Sequence, residues 1–380
     1  MTRINPGFSW GSASFFVDSL KGVCHNVSGY VNGYIVMNNK VNATVTIRDV
    51  AREAGVSVAT VSRYLNQNAP VSEKLSTRIQ EVMDDLDYVP QETARQLAMR
   101  KKNAVGLLLT NLHNDFFAPL LMGVESVVRG HGYNLLVATY QPELRPEQPL
   151  PLGRHNTDGL LVFANSLSER RITRFRDRQF PLVLIHRSPA DGVEIPFVTV
   201  ENKAATRKLV NHLIEEHGRR RILLLRGPIE QEDSYWREVG YKAALADHNI
   251  PLDESLILDG YFEREKSYEA IKALLAQPNR PYFDGVFAGD DAAAVGVFDA
   301  LKEVDIRIPE DVSVVGFDDS RMAPFLVPSL TTVRAPTEAV GRSAAQQLFC
   351  LLAGKSPELA TLHPTEIVIR RSCGCHDLSE

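Results

Sequence analysis

The sequence predicts a multidomain chain: a small all-α helix-turn-helix unit, then an α/β domain of two doubly wound parallel-sheet lobes. Three observations predict it. The 380 residues exceed what one hydrophobic core usually serves. Three short segments of helical period, broken by Gly55 and by the stretch Asn66–Pro70, fill residues 46–86. Beyond Lys102, continuous apolar runs alternate with amphipathic stretches, the pattern of parallel strands covered on both faces by helices. The boundaries read as a leader at 1–43, a helix-turn-helix domain at 44–91, a linker at 92–103, the α/β domain at 104–372 and a tail at 373–380.

The leader has no clear period and reads as a disordered or mistranslated extension, with Met37 as an alternative start; the other reading is a regulatory arm. The run Phe15–Val17 is cut by Asp18 and Lys21, so it is no signal peptide. No uninterrupted apolar stretch of about 18 residues exists, so no membrane span is expected. Four cysteines at odd spacing do not make a disulfide framework and suit a reducing cytoplasm. A net charge of −5 does not exclude nucleic acid, because phosphate affinity depends on local charge. Residues 44–103 carry 9 Lys and Arg against 8 Asp and Glu, with Arg48, Arg52 and Arg63 around the first two helical segments. Bulk charge therefore decides nothing.

Thr46-Ile47-Arg48-Asp49 has capping-box spacing, and Ile47, Val50, Ala51 and Ala54 recur at helical intervals. Gly55 supplies a residue able to take a positive φ at a sharp turn. Ser57 caps a second helix, Val58–Leu65, with Val61 and Leu65 inward. Ser72–Leu86 forms a third, with Leu75, Ile79, Val82 and Leu86 inward. Two helices around a glycine turn, braced by a third, make either a helix-turn-helix or an ordinary three-helix bundle. In the first reading the second helix enters a major groove. Val58 and Ala59 then suit thymine methyls, and Ser57, Thr60, Ser62 and Arg63 donate to bases and phosphates.

The stretch Thr46–Asn66, TIRDVAREAGVSVATVSRYLN, resembles the signature of the lactose repressor/galactose repressor (LacI/GalR) family. The similarity continues through Val71-Ser72, Tyr88-Val89-Pro90 and Ala94–Ala98. It implies a sequence-specific transcription regulator, a repressor in reading, that binds a near-palindromic operator as a homodimer. It also implies that Glu92–Arg100, too short to be a stable helix alone, is a hinge that orders on DNA with Leu97 wedged into the minor groove. The alternative is that Leu97 packs on the α/β domain. The candidate DNA-contacting set is Thr46, Ser57, Val58, Ala59, Thr60, Ser62, Arg63, Asn66, Ala94 and Leu97. Gln91 and Glu92 stand where the family more often has Asn and a neutral or basic residue, and an acid facing phosphate would weaken binding.

In the α/β domain, strands are expected at Ala104–Thr110, Asn134–Thr139, Asp158–Ala164, Leu182–His186, Arg221–Arg226, Gly285–Ala288 and Val312–Phe317. Helices are expected at Pro119–Gly130, Asn202–Glu216, Tyr235–His248, Arg264–Ala276 and Ala292–Glu303. They divide into halves, Ala104 to about Thr199 and about Glu201 to Leu330, with the segment after Val333 crossing back. Asp158-Gly159, Gly316-Phe317-Asp318-Asp319 and Pro328–Val333 extend the resemblance and imply a periplasmic-binding-protein-like architecture with an effector between the lobes. The family's helix between the second and third strands is truncated or lost here, because Gln141–Asn156 carries Pro142, Pro146, Pro149 and Pro151.

Ligands of open α/β sheets sit beyond the carboxyl ends of the strands. Those positions yield Asn111, Phe116, Phe117, His186, Arg187, Tyr235, Arg237, Phe262, Asp290 and Asp318 as candidate effector residues, with Asp291 beside Asp290. Carboxylates and guanidinium groups pair with vicinal hydroxyls, and rings cover the apolar face of a sugar. A small carbohydrate or sugar phosphate is the expected effector; Arg187 and Arg237 could face a phosphate. The resemblance puts Arg237 and Asp318 where the family binds effector hydroxyls, Asp290 where Asn is commoner, and His186 in place of a frequent Asp. Other readings are a surface pair of Arg237 with Glu232, a turn cap at Asp318, and core packing of Phe116 and Phe117.

Phe349 stands where a phosphate loop ending in Gly354-Lys355-Ser356 needs its first glycine, and neither HExxH nor GxGxxG occurs. Cys373-Gly374-Cys375-His376 could grip a soft metal, but alone it predicts none, and no cofactor is expected. The contrasting functions are a solute-binding protein, which needs an export signal and no helix-turn-helix, and a sugar-processing enzyme, which needs a catalytic base with a partner.

Overall fold

The structure is a computed structural model that describes residues 45–66, 70–88, 101–112, 115–142 and 149–376. The leader and the hinge residues Ala94 and Leu97 lie outside the described residues. The chain forms two compact units, Met1–Glu92 and Thr93–Glu380.

The first unit holds α1 (Ile47–Ala54), α2 (Val58–Asn66) and α3 (Glu73–Asp85). The Asp49 carboxylate accepts from the Thr46 backbone N–H at 3.0 Å and from its hydroxyl at 2.7 Å, fixing the start of α1. Gly55, at φ 68°, ends it: its N–H reaches Arg52 O while Val56 N–H reaches Ala51 O at 3.0 Å, a Schellman closure. Ser57 starts α2 by accepting Thr60 N–H on its hydroxyl at 3.1 Å. Val50, Ala51, Ala54, Val61, Ile79 and Met83 form the core, with Leu65, Val82 and Leu86 half-buried around it. Val82 faces inward as expected, and Met83, not among the expected residues, is buried more deeply beside it.

The second unit holds two parallel sheets. The first contains β1 (Ala104–Leu109), β2 (Asn134–Thr139), β3 (Gly159–Phe163), β4 (Leu182–Ile185), β5 (Phe197–Val200) and β11 (Ala360–His363), in the order β11-β5-β4-β3-β1-β2. The second contains β6 (Ile222–Arg226), β7 (Ile257–Asp259), β8 (Gly285–Ala288) and β9 (Ser313–Val315), in the order β7-β6-β8-β9. Strands β1, β3, β4, β8 and β9 are buried throughout, as strands covered on both faces must be. Helices α4 (Phe117–Gly130), α5 (Glu169–Asp177), α6 (Lys203–Glu215), α7 (Glu232–Asp247), α8 (Arg264–Leu275) and α9 (Asp291–Lys302) supply the cover.

The chain crosses back after Val333 as expected. β10 (Thr332–Arg334) pairs antiparallel with β12 (Glu366–Val368), α10 (Thr337–Leu352) lies on α4, and β11 joins the first sheet beside β5. The helices α4 and α10 cross closely because Gly123 and Gly341 bear no side chain. A Cβ there would lie 2.0 Å from Glu338 O and 2.3 Å from Leu120 O respectively. The described part of 141–156 forms turns and no helix. The tail expected from residue 373 begins later: Cys373 is fully buried, and its carbonyl accepts the Ser313 hydroxyl at 2.6 Å.

Candidate functional site

In the first unit, α2 has two faces. Val61 is wholly buried, Leu65 is half-buried, and Tyr64 ties α2 to α3 by donating to Gln80 Oε1 at 2.7 Å. Ser57, Val58, Ala59 and Arg63 are exposed, with Thr60 and Ser62 half-buried beside them. An apolar residue left 41% exposed at the first position of a helix, as Val58 is, has nothing within its own unit to cover it. Thr46 is exposed at the start of α1, and Asn66 closes α2.

In the second unit, the sheets bring their carboxyl ends toward one network. His186 follows β4 in the left-handed region (φ 56°) and is 2% exposed. Its Nδ1 lies 2.8 Å from Asp233 Oδ2, and its Nε2 has no partner among the described residues. Asp233, in the first turn of α7, also accepts from Asn202 Nδ2 at 2.8 Å. Asn202 Oδ1 in turn accepts Arg237 Nε at 2.8 Å. Arg237 Nη1 donates to Gly289 O at 2.6 Å and Nη2 to Asp318 Oδ1 at 3.4 Å. The guanidinium lies 3.6 Å over the Phe317 ring and 5.3 Å from that of Phe262. It is not paired with Glu232, which instead accepts Ser188 N–H and Oγ, both at 2.5 Å. With Asn165 Nδ2 donating to Glu230 O at 2.8 Å, these bonds join the strand ends of the first lobe to the start of α7.

Phe262 is seated by two glycines. Its ring lies where a Cβ on Gly227 would meet it at 2.2 Å and one on Gly289 at 2.9 Å, at the ends of the adjacent strands β6 and β8. Those strands lie where the second sheet's order reverses, the place such folds hold ligands. Asp290 caps α9 by accepting Ala293 N–H at 2.7 Å. Asp291 is buried, accepting Ser320 N–H and the Thr332 hydroxyl, each at 2.6 Å. On the other lobe the Phe116 ring meets His186 edge-on at 5.6 Å.

The carboxylates divide electrically. Burial pushes Asp233 up, but His186, Arg237 and Asn202 hold it below its ordinary value. Burial raises Asp318 well above the carboxylate range, and Asp290, Asp291 and Asp233 add to that against Arg237. Burial also pushes Asp291 up to about 7, against the bonds from Thr332 and Ser320.

The structure thus gathers His186, Arg237, Phe262, Asp290 and Asp318, with Phe116 at their edge. It does not gather the rest of the expected set. Phe117 belongs to the core at 5% exposure, Tyr235 is exposed, and Asn111 is half-buried after β1. Arg187 turns into its own lobe, donating to Leu167 O at 2.7 Å and pairing with Glu169. Asn202, Asp233 and Ser188 are not among the residues expected from the sequence, and Glu232 is expected only as a surface partner of Arg237. Asn202 could have been found had the short strand β5 just before it been recognised.

Comparison with known proteins gives this arrangement its relatives. Residues 46–91 match the model of bacterial regulatory proteins of the lacI family, and residues 210–373 match a periplasmic binding protein-like domain. The chain is 31% identical over 330 residues to the ribose operon repressor of Escherichia coli (strain K12), covering 86% of this chain and 98% of that protein. A solved complex of the transcriptional regulator CelR with cellobiose is 28% identical at a TM-score of 0.63, covering 86% of this chain and 99% of that one. The lac repressor dimer bound to operator and an anti-inducer, 24% identical, shares the fold at a TM-score of 0.71 over 87% of this chain and 99% of its own. With nearly the full length of the ribose repressor matched and the helix-turn-helix in place, the chain belongs to the lacI family of bacterial regulatory proteins.

Proposed function

We propose that this sequence-specific DNA-binding regulator is a homodimeric repressor. It reads a near-palindromic operator in the cytoplasm and answers to a small neutral carbohydrate held between its lobes. One observation carries the effector reading: both ring nitrogens of the buried His186 lack a hydrogen bond among the described residues, Nδ1 facing only the Asp233 carboxylate, at the end of the chain from Asp233 through Asn202 to Arg237. A buried polar atom that lacks its bond costs about 1–3 kcal/mol, and a ligand hydroxyl would recover it. The names of the relatives, a ribose operon repressor and a cellobiose complex, support the class. Within it, an Arg237 already bonded to Asn202, Gly289 O and Asp318 favours a hydroxyl-rich neutral ligand over a sugar phosphate. Arg187, the other cation considered for a phosphate, is held by Leu167 and Glu169.

For DNA, Val58 and Ala59 would lie against base edges and Arg63 against phosphate. Thr46, Ser57, Thr60, Ser62 and Asn66 would bond the backbone or base edges, and Ala94 and Leu97 would enter the minor groove. Selection from random duplexes, then anisotropy with a panel of sugars and sugar phosphates, tests both halves. Arg63→Ala should weaken binding to every sequence alike, whereas changes at Val58 or Ala59 should alter which base is preferred. Base preference unmoved by either substitution would sink the placement of α2. Operator affinity indifferent to every carbohydrate would sink the sensor.

A further inference from the structure

We propose a second site, a four-ligand centre for one borderline-soft divalent cation such as Zn2+, made by His212, His217, Cys373 and Cys375. The four ligand atoms lie within 4.8 Å of one another. Cys375 Sγ stands 3.6 Å from His212 Nε2 and 3.4 Å from His217 Nε2. Bonds of about 2.0–2.3 Å to nitrogen and thiolate give a tetrahedron with edges of roughly 3.3–3.8 Å, so the two Cys375 distances already fit and the widest pair closes by roughly 1 Å on binding. Two imidazoles and two thiols are a donor set that zinc prefers over calcium or magnesium.

The two halves come from distant parts of the chain. His212 is in the last turn of α6 and His217 in the turn that follows. The thiols arrive from the C-terminal segment after β12. Gly374, between them, has φ 115°, and a Cβ there would press to 2.9 Å from His217 Nδ1. The glycine lets a Cys-x-Cys segment fold tightly against the imidazole.

The surroundings hold the ligands in place, as metal sites require. Cys373 Sγ accepts the Thr331 hydroxyl at 3.1 Å, while the Cys373 carbonyl takes the Ser313 hydroxyl. Ser313 Oγ also accepts Arg219 Nε at 2.9 Å, two residues beyond His217. An open concavity of about 800 Å³ along α6 includes His212 in its wall and offers an approach from solvent. His376, the histidine of the sequence motif, is exposed and is not one of the four. That is why the motif by itself did not predict the centre. Four protein ligands leave no open position, so the role is structural: the ion bolts the C-terminal turn to the end of α6.

The full-length protein, reduced and stripped with a chelator that is then removed, is titrated with Co2+ and back-titrated with Zn2+. The expected result is a thiolate-to-cobalt charge-transfer band with tetrahedral d–d bands, saturating at one equivalent per chain and erased by Zn2+. Zn2+ should also raise Tm. Cys375→Ser and His217→Asn, at partly exposed positions, should each weaken affinity by about 100-fold or more, since loss of an outer partner alone costs 10–100-fold. His376→Asn should leave it unchanged. An octahedral cobalt spectrum, a tetrahedral one that survives both ligand substitutions, or a Cys373–Cys375 disulfide that persists in excess reductant would each overturn the proposal.

Discussion

Asp233 and Asp318 both draw on the Arg237 charge, whereas Asp291 is held by neutral donors, Thr332 and Ser320. Its pKa of about 7 makes it a proton-holding group in the folded chain. Between its ordinary value of 3.8 and about 7, the folded state keeps a proton that the unfolded state has lost. Its contribution to stability is therefore full at low pH and is lost as pH rises through 7. Asp291→Asn keeps the shape, accepts Ser320 N–H and can donate to the Thr332 hydroxyl, so it should raise Tm at pH 8 and flatten its fall between pH 6 and pH 8. A thermal melt series that keeps the wild-type slope would refute this. Gly227→Ala should displace Phe262 and abolish the effector response, with operator affinity in the absence of effector unchanged; calorimetry and anisotropy measure the two. Asp318 was legible because positions past strand ends can be counted, and Arg237, inside α7, through the resemblance to the family. Arg187, one residue after His186, was not excluded by counting, since adjacent side chains point apart and only the structure shows which faces the network.

At the level of elements, the Schellman turn at Gly55 separates the two helices of the reader. An added Cβ at Gly55 would meet only Arg78 Nη2, at an unstrained 3.9 Å, so Gly55→Ala isolates the backbone cost of φ 68°. The expected loss is about 1–2 kcal/mol from the first unit, read as a lower denaturation midpoint with the α/β domain unaffected. Long apolar strands and amphipathic helices were visible in the sequence. The elements that escaped notice share a cause. Strands β5, β7, β10, β11 and β12 span three or four residues, too few to show a period. The nine-residue α5 carries four arginines and buries only Ile172, so it lacks an apolar stripe. α10 was hidden by its small residues, which allow the close crossing with α4.

Across the whole effector domain, the lobes are tied by Glu232 to Ser188 and by Asp233 to His186. If the carbohydrate acts through the relation of those lobes, its effect on operator affinity and the operator's effect on its own affinity must be the same factor. Glu232→Ala should reduce both factors together. Unequal factors, measured by titrating each ligand in the presence of the other, would rule out an equilibrium switch. The two halves were legible as repeating strand and helix, but the partner of β5 was not, because it comes from residues 360–363, far along the chain. That late partner has a consequence during synthesis. Until Ala360–His363 leaves the ribosome, the first sheet has a raw edge at Phe197–Val200 able to pair with a neighbouring nascent chain. A premature stop between Asp318 and Ala360 would make that exposure permanent, so truncated products should aggregate even though every residue of the helix-turn-helix and of His186, Arg237 and Asp318 has been made.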